Sequence, residues 1–133
     1  MYIKEITLKD FRNYKEIHTS FHPRVNIFLG KNAQGKTNLL EGIYLNAMAR
    51  SFKTTRDKDL IRFGEEFCGI HTVSKAFDEE METEILITKE GKKIIKIDGV
   101  KASKTSQLLE RIYIVIFSPE DLTIIKNGPA ERR

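Results

Sequence analysis

The chain has 133 residues, 40% hydrophobic and 32% charged, with 8 Gly and 3 Pro, which excludes a disordered tail, a collagen-like fibre and a disulfide-framed miniprotein. A lone cysteine, Cys68, points to a reducing compartment, and no apolar run is long enough to span a bilayer. The formal charge of +4, from 23 basic and 19 acidic residues, is a weak lean towards an anionic partner.

Lys4, Glu5, Lys9 and Asp10 interrupt the N-terminus where the apolar stretch of a signal peptide would lie, so the expectation is a cytoplasmic protein with no membrane contact. Residues 2–11 are rich in β-branched and aromatic side chains and read as a strand. Residues 16–21 are expected to pair with it across a turn at Arg12-Asn13-Tyr14. After Pro23, residues 25–29 form a short, almost wholly apolar run, the pattern of a strand buried on both faces. A loop over 30–35 leads into a helix over 36–49, whose apolar positions Leu39, Leu40, Ile43, Tyr44, Ala47 and Met48 recur at three- and four-residue spacing. Residues 50–56 are a basic loop, and 57–63 a short helix stopped by Gly64.

Three strand-like segments follow, 67–77, 81–89 and 92–97, separated by Asp78-Glu79-Glu80 and Glu90-Gly91 and closed by Asp98-Gly99. Connections this short force antiparallel hairpins, because a parallel crossover needs a dozen residues or more. A short helix around 105–111 returns the chain to a second buried strand, 113–117. Beyond Ser118-Pro119, residues 120–126 and a helix start at 129–133 complete the reading. The expected division is a nucleotide-binding part over 1–64, an antiparallel β-region over 65–102, and a return helix and strand over 103–133.

The chemistry lies in Gly30-Lys31-Asn32-Ala33-Gln34-Gly35-Lys36-Thr37, which fits the phosphate-binding pattern G-x-x-x-x-G-K-[ST]. At average glycine usage, roughly half a percent of chains this long match it by chance. Here it also sits between an apolar strand and the strongest helix, where its mechanism needs it. The glycines let backbone N–H groups wrap a phosphate, and the helix adds its positive end. Lys36 is expected between the β- and γ-phosphates, Thr37 on Mg²⁺, and Asn38 near the α-phosphate of ATP. The strand pair before the motif and the antiparallel insertion after its helix fit an α/β, P-loop ABC-type ATPase head, a mixed core sheet with an antiparallel β-region, incomplete at the C-terminus.

At this point the sequence resembles a known family. Ile6-Thr7-Leu8-Lys9-Asp10-Phe11-Arg12-Asn13-Tyr14 is similar to the opening of the RecF family of bacterial repair ATPases. The P-loop with Asn38-Leu39-Leu40-Glu41 resembles its nucleotide motif, and Ser51-Phe52-Lys53-Thr54-Thr55-Arg56-Asp57 the segment after it. Phe117-Ser118-Pro119-Glu120-Asp121-Leu122 and Gly128-Pro129-Ala130-Glu131-Arg132-Arg133 match two further stretches in order. The first two motifs are shared with SMC-type heads; the last two single out RecF.

The resemblance implies ATP sandwiched in a homodimer, binding to single-stranded and gapped duplex DNA, and work with RecR and RecO in recombinase loading within the DNA-damage (SOS) response. It implies a slow ATPase whose signature motif, Walker B aspartate, catalytic glutamate and switch histidine lie beyond Arg133. It brings Arg12 and Asn13 towards the nucleotide, whereas Tyr14 reads as a core or turn tyrosine. Arg50, Lys53, Arg56 and Lys58 form one basic stretch, read either as nucleotide or DNA contacts or as a solvated loop. Lys92, Lys93, Lys96, Lys101 and Lys104 form another, which could meet DNA phosphates on one strand face. Glu120 and Asp121 are weighed as metal approaches against helix capping. His18, His22 and His71 are too scattered to make a zinc set. The alternatives are another SMC-like or ABC-type head, or a P-loop small-molecule kinase.

Overall fold

The computed structural model describes residues 1–29 and 35–117. Six strands make one sheet in the order β2-β1-β3-β4-β5-β6, antiparallel at every pairing. They are β1 (Tyr2–Phe11), β2 (Tyr14–Ser20), β3 (Phe67–Ala76), β4 (Glu79–Thr88), β5 (Lys93–Ile97) and β6 (Val100–Lys101). The hairpins expected from the short connections all form, and Asp98-Gly99 closes one more than expected. β2 begins two residues earlier than its apolar pattern indicates, because Phe11 already pairs with Tyr14 across the Arg12-Asn13 turn. β1 pairs with β3, so the sheet runs without a break between the N-terminal hairpin and the later strands.

Alternation gives the sheet one buried face. Ile6, Leu8, Cys68, Ile70, Ile85, Ile87 and Ile95 all point inwards, and in the register Leu8 meets Ile70, Ile70 meets Ile85 and Ile85 meets Ile95. The helix α1 (Gly35–Met48) lies on this face, and the short α2 (Ser106–Leu109) packs beside it through the buried Leu108. Burial pushes the Cys68 thiol up to about 12, which makes it an inert core residue.

The face of α1 that packs differs from the apolar stripe. Leu39 and Ala47 are buried as expected, but Leu40 is exposed, and Leu45, outside the expected stripe, is buried along with Asn38, Glu41, Gly42 and Asn46. Gly42 allows the close approach: a Cβ there would lie 2.8 Å from Leu8 Cδ2 and 3.2 Å from Leu8 Cδ1. Leu8 is itself fully buried and cannot retreat. Gly42→Ala should therefore destabilise the chain by about 1–2 kcal/mol, overpacking outweighing the gain in helix propensity of about 1 kcal/mol. Urea denaturation reads the result, and an unchanged or raised midpoint would contradict this packing.

Several expectations are corrected. Residues 25–29 form no strand, and Val25, Ile27 and Leu29 are 71%, 76% and 88% exposed. Residues 113–117 likewise form no strand, and Tyr113, Val115 and Phe117 are exposed while Ile112 is buried. A strand buried on both faces needs a neighbouring strand, and none among the described residues pairs with either segment. The helix expected over 57–63 is a single 3-10 turn, Asp57–Leu60, because Ile61 instead bridges to Phe11. The expected helix over 105–111 is reduced to α2. The readings of 118–133, including Glu120, Asp121 and the final helix start, lie outside the described residues, as do Gly30, Lys31, Asn32, Ala33 and Gln34.

Candidate nucleotide site

Three segments distant in sequence meet at the N-terminal end of α1. The first is the β1–β2 turn. Arg12 there has a φ of 53°, a left-handed conformation uncommon for a side-chain-bearing residue, and its N–H donates to Leu60 O at 2.8 Å. Arg62 N donates to Asp10 O at 2.7 Å, and its guanidinium bridges Asp10 at 3.1 Å and Glu65 at 3.2 Å. The turn is thus laced to the segment that follows the 3-10 turn.

The second is the start of α1. The Tyr14 hydroxyl donates to Gly35 O, and a Cβ on Gly35 would lie 2.9 Å from that hydroxyl oxygen, so a larger residue there would displace the end of the Tyr14 side chain. Tyr14 packs against the core, as its structural reading expected. Asn38 Nδ2 donates to Asn13 Oδ1 at 2.8 Å, joining helix to turn. The third is the loop after α1, from which Lys53 Nζ donates to Asn38 Oδ1 at 2.9 Å. Both polar atoms of the Asn38 side chain are thereby engaged in fixing Asn13 and Lys53.

Beneath these contacts sits Glu41, whose side chain is completely buried. Arg12 Nε and Nη2 donate to its two oxygens at 2.8 and 2.9 Å, and Ser51 Oγ donates to Oε2. Ser51 Oγ in turn accepts from the N–H groups of Lys53 and Thr54. Burial alone pushes the Glu41 carboxyl up. The hydrogen bonds from Arg12 and Ser51, with the charges of Arg12 and Lys53, outweigh it and hold the group below the ordinary carboxylate value. The same ion pair raises Arg12. The P-loop pattern by itself assigns Glu41 no role. Its signal is the spacing: Asn38, Glu41 and Leu45 share one helical face, so two polar residues lie where only apolar ones are expected.

Above this network opens a cavity of about 1090 Å³, lined among others by Arg12, Asn13, Lys36, Thr37, Asn38 and Lys53. Arg62 and the fully exposed Phe63 stand at its edge. Four cationic side chains, Arg12, Lys36, Lys53 and Arg62, line it against one acid, Asp59. Arg12 is paired with Glu41, and Arg62 with Asp10 and Glu65, so the cavity offers anchored donors more than a bare excess of charge; with the N-terminus of α1 these donors suit a polyphosphate. The exposed Thr37 hydroxyl is the oxygen donor that a phosphate-bound Mg²⁺ would take. Of the expected site residues, Arg12, Asn13, Gly35, Lys36, Thr37 and Asn38 come together here.

The basic stretches divide. Lys53 lines the cavity, while Arg50, Arg56 and Lys58 are exposed away from its lining. Lys93 leaves the second stretch: its ammonium caps Ala49 O at the end of α1 and pairs with Asp57 at 3.1 Å. Lys92, Lys96, Lys101 and Lys104 remain exposed, with Lys96 directly opposite Lys101.

Comparison with known proteins bears on the family and the fold. Residues 2–121 match the model of the RecF/RecN/SMC N-terminal domain. The chain is 41% identical over its full length to the DNA replication and repair protein RecF of Alkaliphilus oremlandii and 47% identical to that of Agathobacter rectalis, covering 36% and 37% of those proteins. It therefore spans about a third of the length of the curated relatives it matches. Among solved structures, the recombination mediator protein RecF-ATPrS of the RecFOR pathway superposes with a TM-score of 0.88 at 42% identity, over 98% of this chain and 36% of that one. An SMC ATPase structure from work on ATP-driven dimerization superposes at 0.82 over 99% of this chain and 95% of that one. At 21% identity it supports the fold alone.

Proposed function

The chain belongs to the RecF/RecN/SMC N-terminal domain family, and from that premise we propose that it is the ATP-binding part of a RecF-like DNA repair protein. The observation that carries the reading is the convergence of Arg12, Asn13, Asn38 and Lys53 over the start of α1, beside Lys36 and Thr37. Lys36 with the start of α1 holds the β- and γ-phosphates, Gly30 to Gly35 supply the wrapping N–H groups, and Thr37 offers its hydroxyl to Mg²⁺. Mg²⁺, when bound, neutralises phosphate charge. Glu41 and Asn38 position Arg12 and Lys53 around the same cavity.

In a RecF-length protein the site works by linkage. ATP adds charge and contacts to a head–head interface, so nucleotide state sets the homodimer population and, through it, affinity for single-stranded or gapped DNA. Partnership with RecR and RecO in the cytoplasm follows from the same reading, as does slow hydrolysis completed by groups outside this segment. Exposed Lys92, Lys96, Lys101 and Lys104 are available to DNA phosphates. Exposed Val25, Ile27, Leu29, Val115 and Phe117 fit a seam against the remainder of such a head. Among the described residues no helix is long and apolar enough to cross a membrane.

Light scattering and gapped-duplex binding on a RecF-length protein carrying this segment test the reading. ATP with Mg²⁺ should raise both the dimer fraction and the DNA affinity, and that affinity should fall linearly with salt on logarithmic axes. A nucleotide-indifferent monomer that passes phosphate to a small metabolite would place the chain among the kinases instead.

A further inference from the structure

The outer face of the sheet carries a second constellation, away from the nucleotide cavity. One register row crosses all six strands: His18 pairs with Thr7, Thr7 with His71, His71 with Glu84, Glu84 with Lys96, and Lys96 with Lys101. Ion pairing along such a row would join Glu84 to the facing Lys96. Among the described residues Glu84 forms no ion pair or hydrogen bond with it. Its carboxylate instead converges with Glu82 and the ring of His71, one ligand atom from each lying within 4.8 Å of the others. His71 Nε2 and Glu82 Oε1 are 2.5 Å apart.

Two carboxylates thus converge on one imidazole, and among the described residues neither pairs with Lys9 or Lys96, which line the same groove. The donors are one nitrogen and two oxygens. The 4.8 Å limit leaves room for the roughly 3.3 Å between neighbouring ligands of tetrahedral zinc with bonds near 2.0–2.2 Å, the 2.5 Å His71–Glu82 contact having to widen to admit the ion. The imidazole favours zinc-like ions over Mg²⁺, which demands octahedral oxygen. Beside the cluster lies a groove of about 640 Å³, walled by Leu86 and Ile94 and bordered by Lys9 and Lys96. At Gly69, two residues before His71 on the same face, a Cβ would meet nothing within 4 Å, so the approach is open.

We propose that His71, Glu82 and Glu84 bind a zinc-like divalent cation that links β3 to β4 and keeps one coordination position open towards the groove. On this proposal His71 needs no second histidine, because β4 supplies its partners through the register. The site is independent of the nucleotide reading.

Calorimetric titration of the nucleotide-free chain with ZnCl₂ tests it, with Co²⁺ absorption reporting the coordination. One equivalent should bind and should persist in excess Mg²⁺. His71→Gln and Glu84→Gln, both at the surface, should each weaken binding by at least about tenfold, with circular dichroism unchanged, while His18→Gln leaves it intact. Absence of binding in the parent chain, or equal affinity in the His71 and Glu84 variants, overturns the proposal and leaves an ordinary His71–Glu82 ion pair.

Discussion

Lys36→Ala is expected to weaken ATP binding by at least about thirtyfold, the equivalent of roughly 2 kcal/mol, without unfolding the chain. Lys36 lies in the first turn of α1 and lines the cavity that also holds Arg12, Thr37 and Lys53. Polyphosphate binding there rests on a fixed set of positive groups, and the lysine is the one that the P-loop pattern aims between the β- and γ-phosphates. Because it is not buried in the hydrophobic core, its truncation opens no core cavity, so stability should change little. Fluorescence anisotropy with a labelled ATP, alongside a denaturation curve, separates the two effects. In a RecF-length protein the same change should abolish ATP-dependent dimerisation.

Glu41→Ala carries the largest expected loss of stability. The carboxylate is completely buried and accepts from Arg12 twice and from Ser51. Removing it strands a partly buried guanidinium and releases the Ser51 hydroxyl that orders the N–H groups of Lys53 and Thr54. Arg12 keeps some access to water, with 24% of its side chain exposed, so the cost falls below that of a fully buried pair, at about 2–3 kcal/mol. Nucleotide affinity should fall as well, since Arg12 and the 51–54 loop both border the cavity.

The pH dependence has a definite sign. The folded-state carboxyl of Glu41 is depressed, so its contribution is complete above the unfolded carboxyl value and is lost as pH falls through the folded one. Stability of the parent chain should therefore decline in acid more steeply than that of Glu41→Gln. Parallel profiles would mean that Glu41 is not the anchor of this network.

Much of the fold is legible in the chain because its causes are local. Alternation along the two strand-like segments, with only a few residues from Phe77 to Glu80 to turn in, allows few arrangements other than an antiparallel hairpin. The pattern that marks the P-loop also marks where α1 begins. What resists reading depends on distant partners. Val25, Ile27 and Leu29 carry a strand's composition, but a strand exists only where another pairs with it. Glu41 has no role on its own until Arg12, 29 residues earlier, is seen against it. Lys93 reads as surface charge until Ala49 and Asp57 are seen at its ammonium. Leu40 looks like core because it is apolar, yet Gly42 and Glu41 turn the packed face of α1 away from it.

The account stands most directly on whether this cavity takes a nucleotide triphosphate. Titration of the chain with ATP in the presence of Mg²⁺, followed by calorimetry, should give saturable binding at one site per chain, lost in Lys36→Ala. Heats that never saturate, or an identical isotherm for Lys36→Ala in a folded protein, would contradict it.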